Sequence, residues 1–106
     1  MSLPWLWLAT AGVFEVAWVV LLKRSDGFTR LWPSLATVAT MAASFWCMSQ
    51  ALRVLPMGTV YAVWTGIGAV GGLTWGILAE GEPAGAARLA CVGLILAGVV
   101  GLKLGS

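Results

Sequence analysis

Four apolar runs, at 3–22, 31–52, 55–79 and 86–104, take up nearly all of this 106-residue chain. A helix that crosses a bilayer needs about 20 consecutive, mostly apolar residues. Each run meets that length. The second and third contain no charged residue, and the fourth carries only Arg88 and Lys103, near its ends. The connections are "KRSDGFTR", "RVLPMG" and "EGEPAGAAR", short and rich in turn formers. Charged residues make up 9% of the chain, against roughly 25% in a soluble domain. So few charges could not solvate a water-exposed surface. The chain therefore reads as an all-α membrane protein with four transmembrane helices, forming one domain over residues 1–106 without linker or appendage. A β-barrel is excluded because the runs are continuously apolar and do not alternate with period two. The first run lacks the basic n-region of a secretory signal, so it is expected to be a retained helix.

Several other classes fall away. The net charge of +2 carries no nucleic-acid signal. Cys47 and Cys91 lie in the second and fourth runs with no CxxC spacing; they read as small packing residues, not as metal ligands or a disulfide framework. No catalytic group, metal or cofactor is called for. Basic residues divide four (Lys23, Arg24, Arg30, Arg88) against two (Arg53, Lys103) between the two sides. By the positive-inside rule this bias is weak, with loops one and three leaning toward the cytoplasm. A chain so weakly oriented can insert both ways.

Against this background Glu15, in "AGVFEVAWVVLL", stands out. It is the one charged residue in the body of any run, and the chain has no histidine. An ionisable residue at that depth marks a functional site by default. The alternative, a helix-end glutamate snorkelling to the interface, fits poorly with a position so far from either end of the run. The apolar interior disfavours a bare charge. A carboxyl there is suited to taking either a proton or a cation, and a site that holds one or the other is the simplest antiporter.

Helical spacing supplies company for Glu15. Trp18 lies at i+3 on its face, and Gly12 and Ala11 at i−3 and i−4 are expected to leave the approach open. Ser44, in the middle of the second run, can donate to the carboxylate or bond back to its own helix. Tyr61 and Trp64 share a face of the third run, either as pocket walls or as an interfacial aromatic pair. Aromatic faces attract cations, and a planar guanidinium matches a carboxylate bidentately. Small residues recur at i+4: Gly68, Gly72 and Gly76 in the third run, then Gly93, Ala97, Gly101 and Gly105 in the fourth. Such ladders allow close helix packing in membranes. Four helices make a thin bundle, and alternating access generally takes two repeats, often inverted. The chain shows no internal repeat, so dimerisation is expected. An antiparallel pair would set two Glu15 carboxyls facing one another with coupled titrations.

The stretches "FEVAW", "KRSDGFTRLWPS", "LPMGTVYAVWTGIGAVGG" and "GVVGLKL" together resemble the small multidrug resistance family of proton-coupled exporters along the whole chain. Trp18 in "GVFEVAW", with "TVYAVWTGIGAVG", is similar to the guanidinium exporter subtype. The resemblance implies that Glu15 is the shared proton and guanidinium site. It implies that Ser44 hydrogen-bonds Glu15, that Trp18 and Trp64 line the pocket, and that Tyr61 contacts the carboxylate or gates access. It places much of the dimer contact around Gly98 of the last helix, and implies an antiparallel, dual-topology homodimer in a bacterial inner membrane. Two features depart from the pattern. Val60 stands where alanine is commoner, and the uneven basic split leaves room for pairing with an oppositely oriented homologue. The competing readings are an exporter of quaternary ammonium or other hydrophobic cations and a non-transporting membrane assembly protein. A passive channel is disfavoured by the single titrating site.

Overall fold

The computed structural model describes residues 3–105; Met1, Ser2 and Ser106, part of the single domain read from the sequence, lie outside the described residues. Those residues form four helices, α1 (Leu3–Arg24), α2 (Leu31–Leu52), α3 (Met57–Ala79) and α4 (Ala86–Leu104). Each is long and apolar enough to cross a membrane. At 1.5 Å per residue, α1 reaches about 33 Å, the thickness of a hydrocarbon core with little to spare.

Two helix ends differ from the sequence reading. α1 continues past Leu22 to Arg24, because Lys23 and Arg24 are good helix formers whose charge complements the negative end of the helix dipole. α3 starts at Met57, not at Leu55, with Pro56 as an extended N-cap (φ −60°, ψ 143°). Proline has no N–H to give the preceding turn and drives the residue before it out of helical geometry. Leu55 accordingly closes the turn after α2, donating to the Ala51 carbonyl at 2.9 Å.

The first loop is a self-contained knot around the buried Ser25. Its hydroxyl donates to the Leu22 carbonyl (2.6 Å) and accepts from the Phe28 amide (3.1 Å). Asp26, Gly27 and Phe28 run through left-handed backbone to make this turn. On the same side of the bundle Lys23 pairs with Glu80 at 3.5 Å and Arg88 with Glu82 at 2.8 Å. At the opposite end the Lys103 ammonium lies 5.4 Å from the Trp5 ring centroid. These exposed pairs mark the two water-facing ends and add little stability of their own.

α1 packs against both α2 and α3, whereas the backbone of α4 packs against α3 alone and reaches α1 through Lys103 over Trp5. The core lies where the first three helices meet: Leu8, Ala11, Cys47, Ala51, Val60, Val63 and Trp64, with Ser44 buried among them and Thr37 also buried on α2. α4 buries no residue within the subunit. Lipid tails are as apolar as leucine, so close contact in a membrane comes from small residues that let backbones approach. The α1–α3 seam shows this. A Cβ at Gly12 would stand 2.5 Å from Ile67 Cγ2 and 2.8 Å from Ile67 Cβ, and one at Gly71 would collide with Val16. Gly66 admits Val99 of α4 in the same way. Within the subunit the i+4 ladders do not act as units. A Cβ at Gly72, Gly93, Gly98 or Gly101 would meet nothing within 4 Å. The whole measures 41 × 35 × 19 Å, a slab about two helices thick.

Gly12→Ala is expected to destabilise the protein by about 1–3 kcal/mol, because the colliding Ile67 Cβ is tied to its backbone and the helices must part. Gly72→Ala should cost under about 0.5 kcal/mol. Reversible denaturant unfolding in detergent, followed by circular dichroism, measures both.

Candidate cation site in the helix bundle

α1 carries Glu15 down into the bundle on the side that meets α3. There its carboxylate lies directly against Gly68, where a side chain of any kind would collide with it. Oε2 of Glu15 is buried and no protein group hydrogen-bonds it; the indole Nε1 of Trp18, one turn further along α1, is in the same condition. Among the described residues these are the only buried side-chain polar atoms without a partner. Leaving such an atom unsatisfied costs about 1–3 kcal/mol, more for a charged group. An acceptor and a donor left over in the same stretch of helix, in a chain otherwise careful with its polar groups, point to a ligand.

Ser44 stands in a different relation to Glu15 from the one expected. Its hydroxyl donates to the Ala11 carbonyl of α1 at 2.7 Å and accepts from the Trp64 indole of α3 at 3.0 Å. A serine has one proton to give, and here the Ala11 carbonyl has it instead of the carboxylate or the serine's own helix. Ala11 lies at i−4 from Glu15, so its carbonyl is also the helical acceptor for the Glu15 amide. The serine therefore touches the helix turn that carries the carboxylate.

Trp64 is buried and anchors an aromatic group. Tyr61 lies 6.2 Å away between centroids at 35°, and Phe45 of α2 lies 5.9 Å away at 57°. Tyr61 itself is 63% exposed and stands on the outer surface of the subunit. Gly12 does not open the approach to Glu15, as its spacing led one to expect; its space is filled by Ile67. The structure thus brings Ser44, Trp64 and Tyr61 together, seats Glu15 on Gly68, and puts Gly12 to use in the seam. Gly93, Ala97, Gly98 and Gly101 are exposed along α4. Gly68, Ile67 and Phe45 are neighbours of the site that sequence reading did not assign to it. Gly68 was visible only as one rung of a ladder. An open apolar cleft of about 630 Å³ runs between α1 and α3, lined by Val13, Val16, Ala17, Val70, Trp75 and Leu96 among others, and Glu15 is not part of its wall. No metal-binding cluster of His, Cys, Asp or Glu occurs among the described residues.

A family profile described as Small Multidrug Resistance protein matches residues 3–95. The chain belongs to the small multidrug resistance family. Relatives in this family include a guanidinium exporter of Citrobacter freundii, 55% identical over 102 residues, covering 96% of this chain and 97% of its own. A guanidinium exporter of Yersinia pseudotuberculosis is 53% identical over 104 residues, covering 98% of this chain and all of its own. A guanidinium exporter of Salmonella typhimurium strain LT2 is 52% identical over 102 residues, with coverage of 96% and 97%. With four spanning-length helices and relatives named as exporters, this member of the small multidrug resistance family is a multi-pass membrane protein. The family profile ends within α4, before Ala97, Gly98 and Gly101.

Ser44→Ala would strand the Trp64 indole N–H in the core. It is expected to cost about 1–3 kcal/mol, read as a lower denaturation midpoint together with a change in near-ultraviolet tryptophan dichroism.

Proposed function

We propose that this protein is a proton-coupled antiporter that exports guanidinium and small substituted guanidinium cations across the bacterial inner membrane, with proton and substrate competing for Glu15. The observation that carries this reading is the Glu15 carboxylate itself, held in the membrane interior with a buried oxygen that no protein group satisfies. A proton satisfies that oxygen by neutralising the group. A guanidinium satisfies it by two parallel N–H···O bonds to a planar carboxylate. The two solutions exclude each other, so each ligand expels the other, and an imposed proton gradient drives the cation outward. Identity of 52–55% with guanidinium exporters over nearly the full chain supports the substrate class.

The remaining residues take roles in keeping with their chemistry. Trp18 contributes an aromatic wall and a free N–H, and Trp64 and Tyr61 offer π faces that attract a cation. Ser44 is the mobile donor: released from the Ala11 carbonyl, its hydroxyl can turn to the carboxylate when Glu15 is charged. Gly12 serves the pocket indirectly, through the seam that holds α1 at its depth. A slab 19 Å thick offers few layers with which to enclose a midplane site and alternate its access. The functional unit is therefore an antiparallel, dual-topology homodimer of single four-helix domains, or a pair with an oppositely oriented homologue. Two copies supply the inverted repeats that alternating access uses. The unburied face of α4, with Gly93, Ala97, Gly98 and Gly101, suits a close helix–helix contact between the copies.

Liposomes loaded with purified protein test the reading. An imposed proton gradient should drive guanidinium uphill, and guanidinium added near neutral pH should release protons from the protein. Glu15→Gln is expected to abolish both. A quaternary ammonium that releases protons where guanidinium does not would transfer the protein to the other exporter subtype. Transport intact in Glu15→Gln would sink the carboxylate mechanism. For topology, Thr29→Cys in a background without Cys47 and Cys91 should label from both sides of the membrane in roughly equal parts. A single labelled population would leave only the paired-homologue form.

A further inference from the structure

Gly68 has a neighbour that its rung in the glycine ladder does not foretell. A Cβ built there would fall on the Glu15 carboxyl, 2.6 Å from Cδ and 3.1 Å from Oε1, with Oε2 nearer still. The carboxyl therefore lies flat over the bare backbone of α3. On α3 only Gly76 is used in a similar way, for a carboxylate outside the helices. Gly72, one turn on, meets nothing, while Gly66 and Gly71 receive valine methyls. Gly76, at the end of the helix, receives the Glu82 carboxylate. The group at Gly68 is also the one whose Oε2 is buried without a donor. Oε2 is thus held in place by shape, through the seat beneath it.

Resting on the reading of Glu15 as the exchange site, we propose that Gly68 is the positioning residue for that carboxyl. Its missing side chain makes the seat in the α1–α3 seam that fixes where proton and cation are exchanged. Glutamate has three rotatable bonds, so without the seat the carboxyl would wander among rotamers. The collision at Gly68 is with the far end of a flexible side chain, not with backbone. An added methyl is accommodated by evicting the carboxyl while the helices stay where they are. This separates Gly68 from Gly12, where the colliding atom is Ile67 Cβ.

Two measurements on the full-length protein in bilayers decide it. In protein labelled with ¹³C at glutamate and glycine, solid-state NMR should show a through-space cross-peak from Glu15 Cδ to Gly68 Cα. Glu15→Gln assigns it by removing it, and the Glu82–Gly76 contact serves as an internal standard. Absence of the Glu15 peak while the Glu82 peak is present overturns the proposal. In guanidinium exchange, Gly68→Ala is expected to raise the half-saturating concentration about three- to tenfold with the maximal rate kept within about twofold. Gly72→Ala should match wild type. The loss from Gly68→Ala should shrink in a Glu15→Asp background, where the carboxyl is one methylene shorter and withdraws from the methyl. Wild-type behaviour of Gly68→Ala, or an equal loss in Gly72→Ala, overturns the proposal. If wild-type protein exchanges no guanidinium, the antiporter reading falls, and the NMR contact still decides whether Gly68 seats the carboxyl.

Discussion

One hydrogen-bonded chain, from the Trp64 indole to the Ser44 hydroxyl to the Ala11 carbonyl, ties the three inner helices together. In a bilayer no water reaches the hydrocarbon core, so a polar side chain there must be met by protein. Lipid also removes the hydrophobic reason for helices to associate, which leaves packing and interhelical hydrogen bonds to hold them. Ser44 supplies the bond, and Gly12 and Gly71 let α1 and α3 come close enough for packing to count. The depth and rotation of α1, and with them the place of Glu15, follow from that tie.

Glu15 obeys the opposite logic. Among the described residues the other buried side-chain polar atoms have partners, whereas the carboxylate and the Trp18 indole keep one each in reserve. Such a reserve costs stability and is tolerable because the carboxyl can be neutralised by a proton or matched by a cation. The contact with Gly68 gives it a place without giving it a hydrogen bond, and a bound cation would not have to break one. In this state Ser44 spends both of its hydrogen bonds on the fold, while a buried oxygen of Glu15 has none.

The peripheral position of α4 follows from the same physics. Its backbone packs against α3 alone, and none of its residues is fully buried within the subunit. A helix apolar all round is stable in lipid without a partner, which is why α4 can leave its small-residue face uncovered within the subunit. A single subunit leaves Glu15 in a slab two helices thick. In the proposed pair of copies, this subunit would supply one half of the enclosure that alternating access uses.

Much of this was legible in the chain because it depends on local properties. Run length and the scarcity of charge determined that there are four helices in a membrane, and a lone acidic residue among them marked the position where exchange is proposed. Pro56 and the pair Lys23–Arg24 carried the signals for the two helix ends that shifted, since proline and dipole effects act within one turn. Tertiary structure alone decided that Ser44 bonds Ala11, that Gly12 holds Ile67, that Tyr61 faces outward, and that Gly68 lies beneath the carboxylate. The reason is rotational. Helices that are apolar on every side have no single stripe to turn inward, so periodicity cannot say which face meets which. Only the close approach of small residues, and one serine with one proton to give, selects the rotation.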